Sequence, residues 1–188
     1  MSTGTDCAVL SEPMSEAQTV ENNSPELILA FVCTGNTCRS PMAAALFEYL
    51  NARQPLPLPV RAESAGLMAA EGAPASANAK RALDEDYPGI RDLSEHRARG
   101  LNAELIERAG LLLTMESSHA EYLRYILPEY AHKIAGIYEY ALDRSDGSVA
   151  DPYGGDLEVY RATAREIHNL IVELLPRLRR EINAASGK

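Results

Sequence analysis

The residues best suited to chemistry are Cys33 and Arg39, which lie six positions apart in the run CTGNTCRSP. Residues 27–32, just before this run, are continuously apolar, which is typical of a strand buried on both faces. Apolar residues recur at helical spacing from Pro41 onward, so we expect a strand, a tight loop and a helix in that order. The backbone N–H groups of such a loop and the N-terminus of the helix favour a bound oxyanion.

Cys33 and Arg39 suit an attack on a bound phosphate group. The loop amides, the helix dipole and the nearby guanidinium of Arg39 favour the thiolate of Cys33, which is its nucleophilic form. Arg39 presents a planar fork that matches two phosphate oxygens. Ser40 could donate a hydrogen bond to the Cys33 sulfur, and it could also cap the helix. The alternative is that Cys33 packs as a small buried hydrophobe, as free cysteine usually does.

Between the cysteine and the arginine, the loop supplies further candidates for binding a substrate. They are Thr34, Gly35, Asn36, Thr37 and Cys38, of which the glycine suits a tight turn. The hydroxyl of Thr37 could face the substrate, or it could hydrogen-bond within its own loop. Cys38 could capture an oxidised Cys33 as a disulfide, or it could simply pack under the loop.

A second candidate group, Asp151-Pro152-Tyr153, lies in a polar loop far along the chain. Pro152 biases the backbone of Asp151 towards an extended shape, which stiffens the approach of its carboxyl group. A carboxyl group held in this way could serve as a general acid and then as a general base. Tyr153 could form a wall of the same pocket, or it could be an ordinary exposed loop tyrosine.

These motifs resemble those of the low-molecular-weight protein-tyrosine-phosphatase family. Residues 33–41 are similar to its signature loop, Cys-x5-Arg-Ser, and Asp151-Pro152-Tyr153 is similar to its general-acid loop. The resemblance covers residues 27 to about 182. Thr37 and Gly154-Gly155 look most like the bacterial protein-arginine-phosphatase branch, because the tyrosine-specific branch generally carries isoleucine at the position of Thr37.

The resemblance implies a cysteine-dependent phosphatase that acts on phosphorylated proteins through a cysteinyl-phosphate intermediate. It implies no metal and no other cofactor. The favoured substrate is phosphoarginine, and phosphotyrosine is the alternative. The resemblance also assigns to His96, in a Ser-x-His sequence, the bracing of Asn36 from behind the loop. A lone histidine is otherwise more often a core or surface residue.

Two other classes of protein remain as alternatives. An arsenate reductase uses a related loop, but its chemistry needs further cysteines to carry a disulfide away, and none follows Cys38. A phosphate-binding protein without catalysis would lack Cys33 or Asp151, and both are present. Turnover of p-nitrophenyl phosphate by the purified protein separates this last class from an enzyme.

Composition narrows the choice independently of any family. A chain of 188 residues with 46% hydrophobic content fits one globular domain. The net charge of −9 argues against nucleic acid as a partner, and no apolar run approaches the ~20 residues that span a membrane. Three cysteines without a CxxC motif argue against a disulfide scaffold and a zinc site. We therefore expect a monomer in the reducing cytoplasm.

The chain divides into a short tail and one domain. Residues 1–25 lack periodicity and carry acids but no Lys or Arg, which predicts a disordered acidic tail without a signal peptide. Residues 26–188 form the predicted phosphatase domain. Apolar patterning predicts strands at 27–32, 60–65, 111–113 and 134–140, alternating with helices from 41, 77–83, 101–109, 118–126 and 156–182. This order predicts an α/β fold with a doubly wound parallel four-stranded sheet and helices on both faces.

Overall fold

The computed structural model describes residues 26–187. The strands of this part are β1 (Leu27–Cys33), β2 (Val60–Gly66), β3 (Leu111–Thr114) and β4 (Ile134–Gly136). The helices are α1 (Arg39–Asn51), α2 (Ala77–Asp86), α3 (Ala103–Arg108), α4 (Ser117–Ile126), α5 (Ile137–Leu142) and α6 (Leu157–Ala185), with a 3₁₀ helix at Pro128–Lys133.

The four strands form one sheet in the order β2-β1-β3-β4, and every neighbouring pair is parallel. Residues of β1 alternate between two buried clusters. Leu29 and Phe31 pack with α1 and α6 on one face, whereas Ala30 and Val32 pack with α3 and α4 on the other. Because both faces of β1 are covered, its sequence is a continuous apolar run. The predicted fold class is confirmed.

The long C-terminal helix agrees closely with its prediction. Asp156 caps α6 by accepting a hydrogen bond from the Val159 backbone N–H at 3.1 Å. The whole predicted stripe is buried, and much of it packs against α1 and α2. Its members are Tyr160, Ala164, Ile167, Ile171, Leu174, Leu178 and Ile182. This helix therefore forms one wall of the main core beneath the sheet.

The prediction of a strand over residues 134–140 is wrong beyond Gly136. Strand β4 has only three residues, and α5 follows at once. The cause is a local capping interaction, in which the Glu139 carboxylate accepts the Gly136 backbone N–H at 3.2 Å. Ile137 and Tyr140 then lie one helical turn apart on the buried side. A short apolar run fits either a strand or a helix, and here the cap decides.

Two helices also start at residues other than the predicted ones. Helix α1 begins at Arg39, so Pro41 is its third residue. Cys38 occupies the N-cap position, but its side chain makes no capping hydrogen bond to the helix. Ser40 is therefore not a cap. Helix α4 begins at Ser117 after Glu116, which also makes no side-chain capping bond. The side chains of Ser40 and Glu116 instead make contacts at the site described below.

The N-terminal tail predicted over residues 1–25 lies outside the described residues. Within the described part of the chain, no helix is both long enough and apolar enough to cross a membrane.

Candidate active site

A cleft of about 220 Å³ opens where β1 ends and α1 begins. It is lined by Cys33, Thr34, Gly35, Thr37, Cys38, Arg39, Asp151 and Tyr153. The two sequence motifs therefore meet at one place, at the carboxyl ends of the parallel strands. A larger cleft of about 610 Å³ lies at the opposite end of the sheet, and neither Cys33 nor Cys38, the two cysteines of the described residues, lines it. Its chemistry gives no reason to prefer it as the active site.

Cys33 lies at the floor of the smaller cleft and is 2% exposed. Its sulfur accepts a hydrogen bond from the Asn36 backbone N–H at 3.2 Å and lies 3.1 Å from Ser40 Oγ. Ser40 Oγ also lies 3.2 Å from the Ala65 carbonyl oxygen. A hydroxyl has one proton, so Ser40 donates either to Ala65 or to the Cys33 sulfur.

Asn36 holds the inner half of the loop from beneath, with its side chain fully buried. Its amide nitrogen donates to Ser40 Oγ at 2.8 Å and to Ser64 Oγ at 3.0 Å. Its amide oxygen accepts the Arg99 backbone N–H at 2.9 Å. The residue has a φ of 55°, a left-handed conformation that asparagine adopts more readily than most residues. This network fixes the backbone turn behind Cys33.

His96 lies behind the same turn, where the resemblance led us to expect it. Its Nε2 is 2.7 Å from the Asn36 carbonyl oxygen. Burial lowers the pKa of His96, and the nearby Arg91, Arg97 and Arg99 act in the same direction. The ring is therefore neutral at pH 7, and the contact assigns the proton to Nε2, which donates to the carbonyl oxygen.

Gly66, the last residue of β2, gives the loop room to pack against the sheet. A Cβ at this position would lie 2.7 Å from the Thr34 carbonyl oxygen and 2.9 Å from the Asn36 backbone nitrogen. Both are backbone atoms of the loop and cannot move aside as a flexible side chain can. The closeness of the loop to β2 thus depends on a glycine here.

The outer half of the loop has different supports. The Thr37 carbonyl oxygen accepts the Ser76 backbone N–H at 2.9 Å. Cys38 Sγ lies 3.3 Å from the Tyr160 hydroxyl, which in turn accepts from Ser76 Oγ at 2.9 Å. Burial and the hydrogen bond to Cys38 raise the pKa of Tyr160 to about 12. Thr37 lines the cleft, and its hydroxyl makes a long hydrogen bond of 3.6 Å with Cys38 Sγ, within its own loop.

Arg39 is 2% exposed and reaches across the cleft to both motifs. Its Nη1 donates to Glu116 Oε1 at 2.7 Å and to the Val149 carbonyl oxygen at 3.2 Å. Its Nη2 donates to Thr34 Oγ1 at 3.2 Å and to Asp151 Oδ2 at 2.8 Å. Its Nε is buried and has no hydrogen-bond partner in the structure. Hydrogen bonds from both Nη atoms thus hold the guanidinium in place, and the Nε–H remains available as a donor.

Asp151 and Tyr153 form the outer rim of the cleft. The Asp151 side chain is 47% exposed, and its Oδ1 accepts the Tyr153 backbone N–H at 3.2 Å. The Tyr153 side chain is 80% exposed. Within residues 26–187, no group of three or more His, Cys, Asp or Glu side chains is placed to hold a metal ion.

Sequence reasoning missed four residues of this site, namely Ser64, Gly66, Glu116 and Tyr160. Ser64 and Gly66 end β2, and Glu116 follows the end of β3, so all three lie at the edge where parallel strands place ligand contacts. That positional rule could have identified them. Tyr160 belongs to the apolar stripe of α6, and its hydroxyl contact left no local signal in the sequence.

Comparison with known proteins places this geometry in a family. Residues 28–184 match the family model of the low molecular weight phosphotyrosine protein phosphatases. A protein-arginine-phosphatase of Geobacillus stearothermophilus is 43% identical over 81% of this chain and 97% of its own length. The solved structure of the arginine phosphatase from that organism matches with a TM-score of 0.72 at 42% identity, covering 82% of this chain and 94% of the other.

A tyrosine phosphatase is equally similar to this chain. The structure of the low molecular weight protein tyrosine phosphatase from T. tengcongensis is 44% identical, with a TM-score of 0.74, over 80% of this chain and 99% of the other. Similarity alone therefore does not separate the two substrates. The loop, the fold and the match to the family model agree, and this chain belongs to the low molecular weight phosphotyrosine protein phosphatase family.

Proposed function

We propose that this phosphatase removes the phosphoryl group from phosphoarginine in proteins, through a cysteinyl-phosphate intermediate. The observation that carries the proposal is the threonine side chain of Thr37 in the wall of the cleft, which Asp151 also lines. A phosphotyrosine ring needs apolar surface on both sides, whereas a guanidinium is smaller and strongly hydrated. The 43%-identical arginine phosphatase supports the same choice.

The substrate phosphoryl group is bound by Arg39 and the loop amides. Nε of Arg39 has no hydrogen-bond partner among residues 26–187, and Nη2 is joined to a half-exposed carboxylate that can move away. These two donors match two oxygens of a phosphoryl group. Cys33 lies at the floor of the cleft, so its sulfur attacks phosphorus in line while the equatorial oxygens are held through the transition state.

The Ser40 hydroxyl changes its hydrogen-bond acceptor as the charge on the Cys33 sulfur changes. With a neutral thiol, Ser40 donates to the Ala65 carbonyl oxygen and Cys33 can donate to Ser40 Oγ. When the thiolate forms, the hydroxyl proton turns towards the sulfur at 3.1 Å. The same hydrogen bond stabilises the sulfur as the leaving group when the cysteinyl-phosphate is hydrolysed.

Asp151 acts first as a general acid and then as a general base. It protonates the leaving nitrogen of arginine, and it later removes a proton from the water that attacks the intermediate. Before it takes up the proton that it donates, its carboxylate attracts the substrate guanidinium, so recognition and proton transfer use one residue in two protonation states. Tyr153 is proposed to flank the substrate at the mouth, since it lines the cleft beside Asp151.

Phosphotyrosine is the second candidate substrate, supported by the 44%-identical tyrosine phosphatase and by the exposed ring of Tyr153. The test measures kcat/KM for phosphoarginine and phosphotyrosine in peptides of one sequence. We expect the parent to prefer phosphoarginine. Thr37→Ile adds apolar surface and removes a hydroxyl, so it should shift relative kcat/KM towards phosphotyrosine by roughly 10 to 200-fold. A parent that already prefers phosphotyrosine would overturn the assignment to arginine.

The setting of the enzyme follows from its nucleophile. A thiol that must stay reduced fits a cytoplasmic location, where disulfides are rare. We also propose a monomer that acts on phosphorylated proteins. Light scattering of the purified protein tests the monomer, and fractionation of the source cells tests the location.

A further inference from the structure

Arg39 makes two kinds of contact, and they lie on different sides of its guanidinium. Nε and Nη2 share one edge of the planar group, and Nη1 lies on the other side. The Nε/Nη2 edge is the one available to a phosphoryl group, because Nε has no partner within the described part of the chain and Nη2 is joined to the half-exposed Asp151. Nη1 is committed to Glu116 and to the Val149 carbonyl oxygen.

Glu116 is itself held in place. Its carboxylate also accepts from Thr34 Oγ1 at 3.4 Å, and its other oxygen lies 3.7 Å from His119 Nε2. Its backbone carbonyl oxygen accepts from Thr114 Oγ1 at 2.7 Å. The side chain is 29% exposed, against 47% for Asp151, so Glu116 is the more enclosed of the two carboxylates. It lies outside the lining of the cleft.

The geometry points to Glu116 as a positioning residue for the reaction. By fixing Nη1, it turns the Nε/Nη2 edge of Arg39 towards the phosphoryl group. Asp151 occupies Nη2 only until the substrate arrives, whereas Glu116 stays bound throughout turnover. This role rests on the proposed phosphatase chemistry but concerns the step before it, namely the binding of the phosphoryl group. Glu116 touches neither the substrate nor the reacting atoms.

Two variants of equal size isolate this role. Glu116→Gln keeps an acceptor oxygen for Nη1, whereas Glu116→Met fills the same space without one. Both variants remove the charge, so the difference in phosphate affinity between them measures the hydrogen bond from Arg39 Nη1 to the side chain at position 116. Glu121→Gln removes a charge from an exposed position of α4, the helix that follows Glu116, and serves as the control.

Isothermal titration calorimetry with inorganic phosphate is the primary measurement. We expect Glu116→Met to weaken phosphate binding about tenfold or more, since a misplaced Arg39 cannot make its bidentate hydrogen bonds from Nε and Nη2 to the phosphate. Glu116→Gln should stay within about threefold of the parent, and Glu121→Gln should not differ from it. In turnover of p-nitrophenyl phosphate, the Met variant should show a higher KM, because phosphate binding is weaker, and a lower kcat, because the contacts of Arg39 are strongest in the transition state.

Three results would overturn the inference. They are unchanged phosphate binding in the Met variant, equal losses in the Met and Gln variants, and an equal loss in Glu121→Gln. Thermal melts establish that each variant is folded, and Glu116→Ala replaces the Met variant if that one does not fold. Phosphate binding is measured without turnover, so a parent that fails to hydrolyse phosphoproteins would refute the proposed function and leave this result standing.

Discussion

The two halves of the phosphate loop are supported in opposite ways. The inner half, residues 33–36, rests on a buried polar network that includes Ser40, Ser64 and His96. The outer half, Thr37 and Cys38, is joined by fewer bonds, to Ser76 before α2 and to Tyr160 of α6. A buried network has few tolerated alternatives, because each unpaired polar group costs about 1 to 3 kcal/mol. The inner half therefore fixes the chemistry, and the outer half can vary with the substrate.

The largest expected effect breaks the inner half at its centre. Cys33→Ser keeps the size of the side chain but cannot supply a thiolate, so turnover should be lost. Binding of inorganic phosphate and the melting temperature should stay close to the parent, because the loop backbone is unchanged. Activity assays and calorimetry on the same preparation measure both. Residual turnover comparable to the parent would remove Cys33 from the mechanism.

A smaller effect is expected at the rim, where Asp151 contacts Arg39. Asp151→Ala should reduce the rate with poor leaving groups by about 10² to 10⁴, and much less with good ones, since only poor leaving groups need a proton. It should also tighten phosphate binding, because Nη2 of Arg39 loses a competing anion. Rates for a series of aryl phosphates measure the first effect. Equal losses across that series would mean that Asp151 is not the acid.

The smallest effect is expected from Cys38→Ser in the absence of an oxidant, because this thiol takes no part in catalysis. After peroxide treatment the two proteins should separate. Peroxide converts the Cys33 thiolate to a sulfenic acid, and the Cys38 thiol then displaces water to form a disulfide. The parent should recover its activity with dithiothreitol, while the variant proceeds to irreversible oxidation. Equal recovery in both would assign Cys38 a packing role only.

Local signals in the sequence predicted the elements that local interactions form. The apolar run of β1 and the stripe of α6, with its Asp156 cap, were both readable because neighbouring residues determine them. Residues 134–140 were misread, since an apolar run fits a strand or a helix until the Glu139 cap is recognised. Apolar periodicity thus identified the fold and left the ends of some elements wrong.

The residues of the site likewise fall into those that local sequence predicts and those that depend on long-range contacts. The two motifs could be recognised in the sequence because each is continuous in the chain. The position of Glu116 after β3 is also readable, but its contact with Arg39 is not, because the two lie 77 positions apart and only the pairing of β1 with β3 brings them together. The contact of Tyr160 with Cys38 spans 122 positions and was hidden by the apolar pattern of α6. Long-range hydrogen bonds produce no periodic pattern in the sequence, so they cannot be predicted from it.

Gly66 has a consequence for how this sequence can diverge. An added methyl group there would collide with backbone atoms of the loop, so no rearrangement of a side chain can make room. Met68, two positions further on, is 80% exposed and meets no such limit. The backbone N–H of Met68 donates to the Thr34 carbonyl oxygen at 2.8 Å, so both positions lie against the phosphate loop. A lineage can therefore vary the side chain at position 68 while position 66 is confined to glycine.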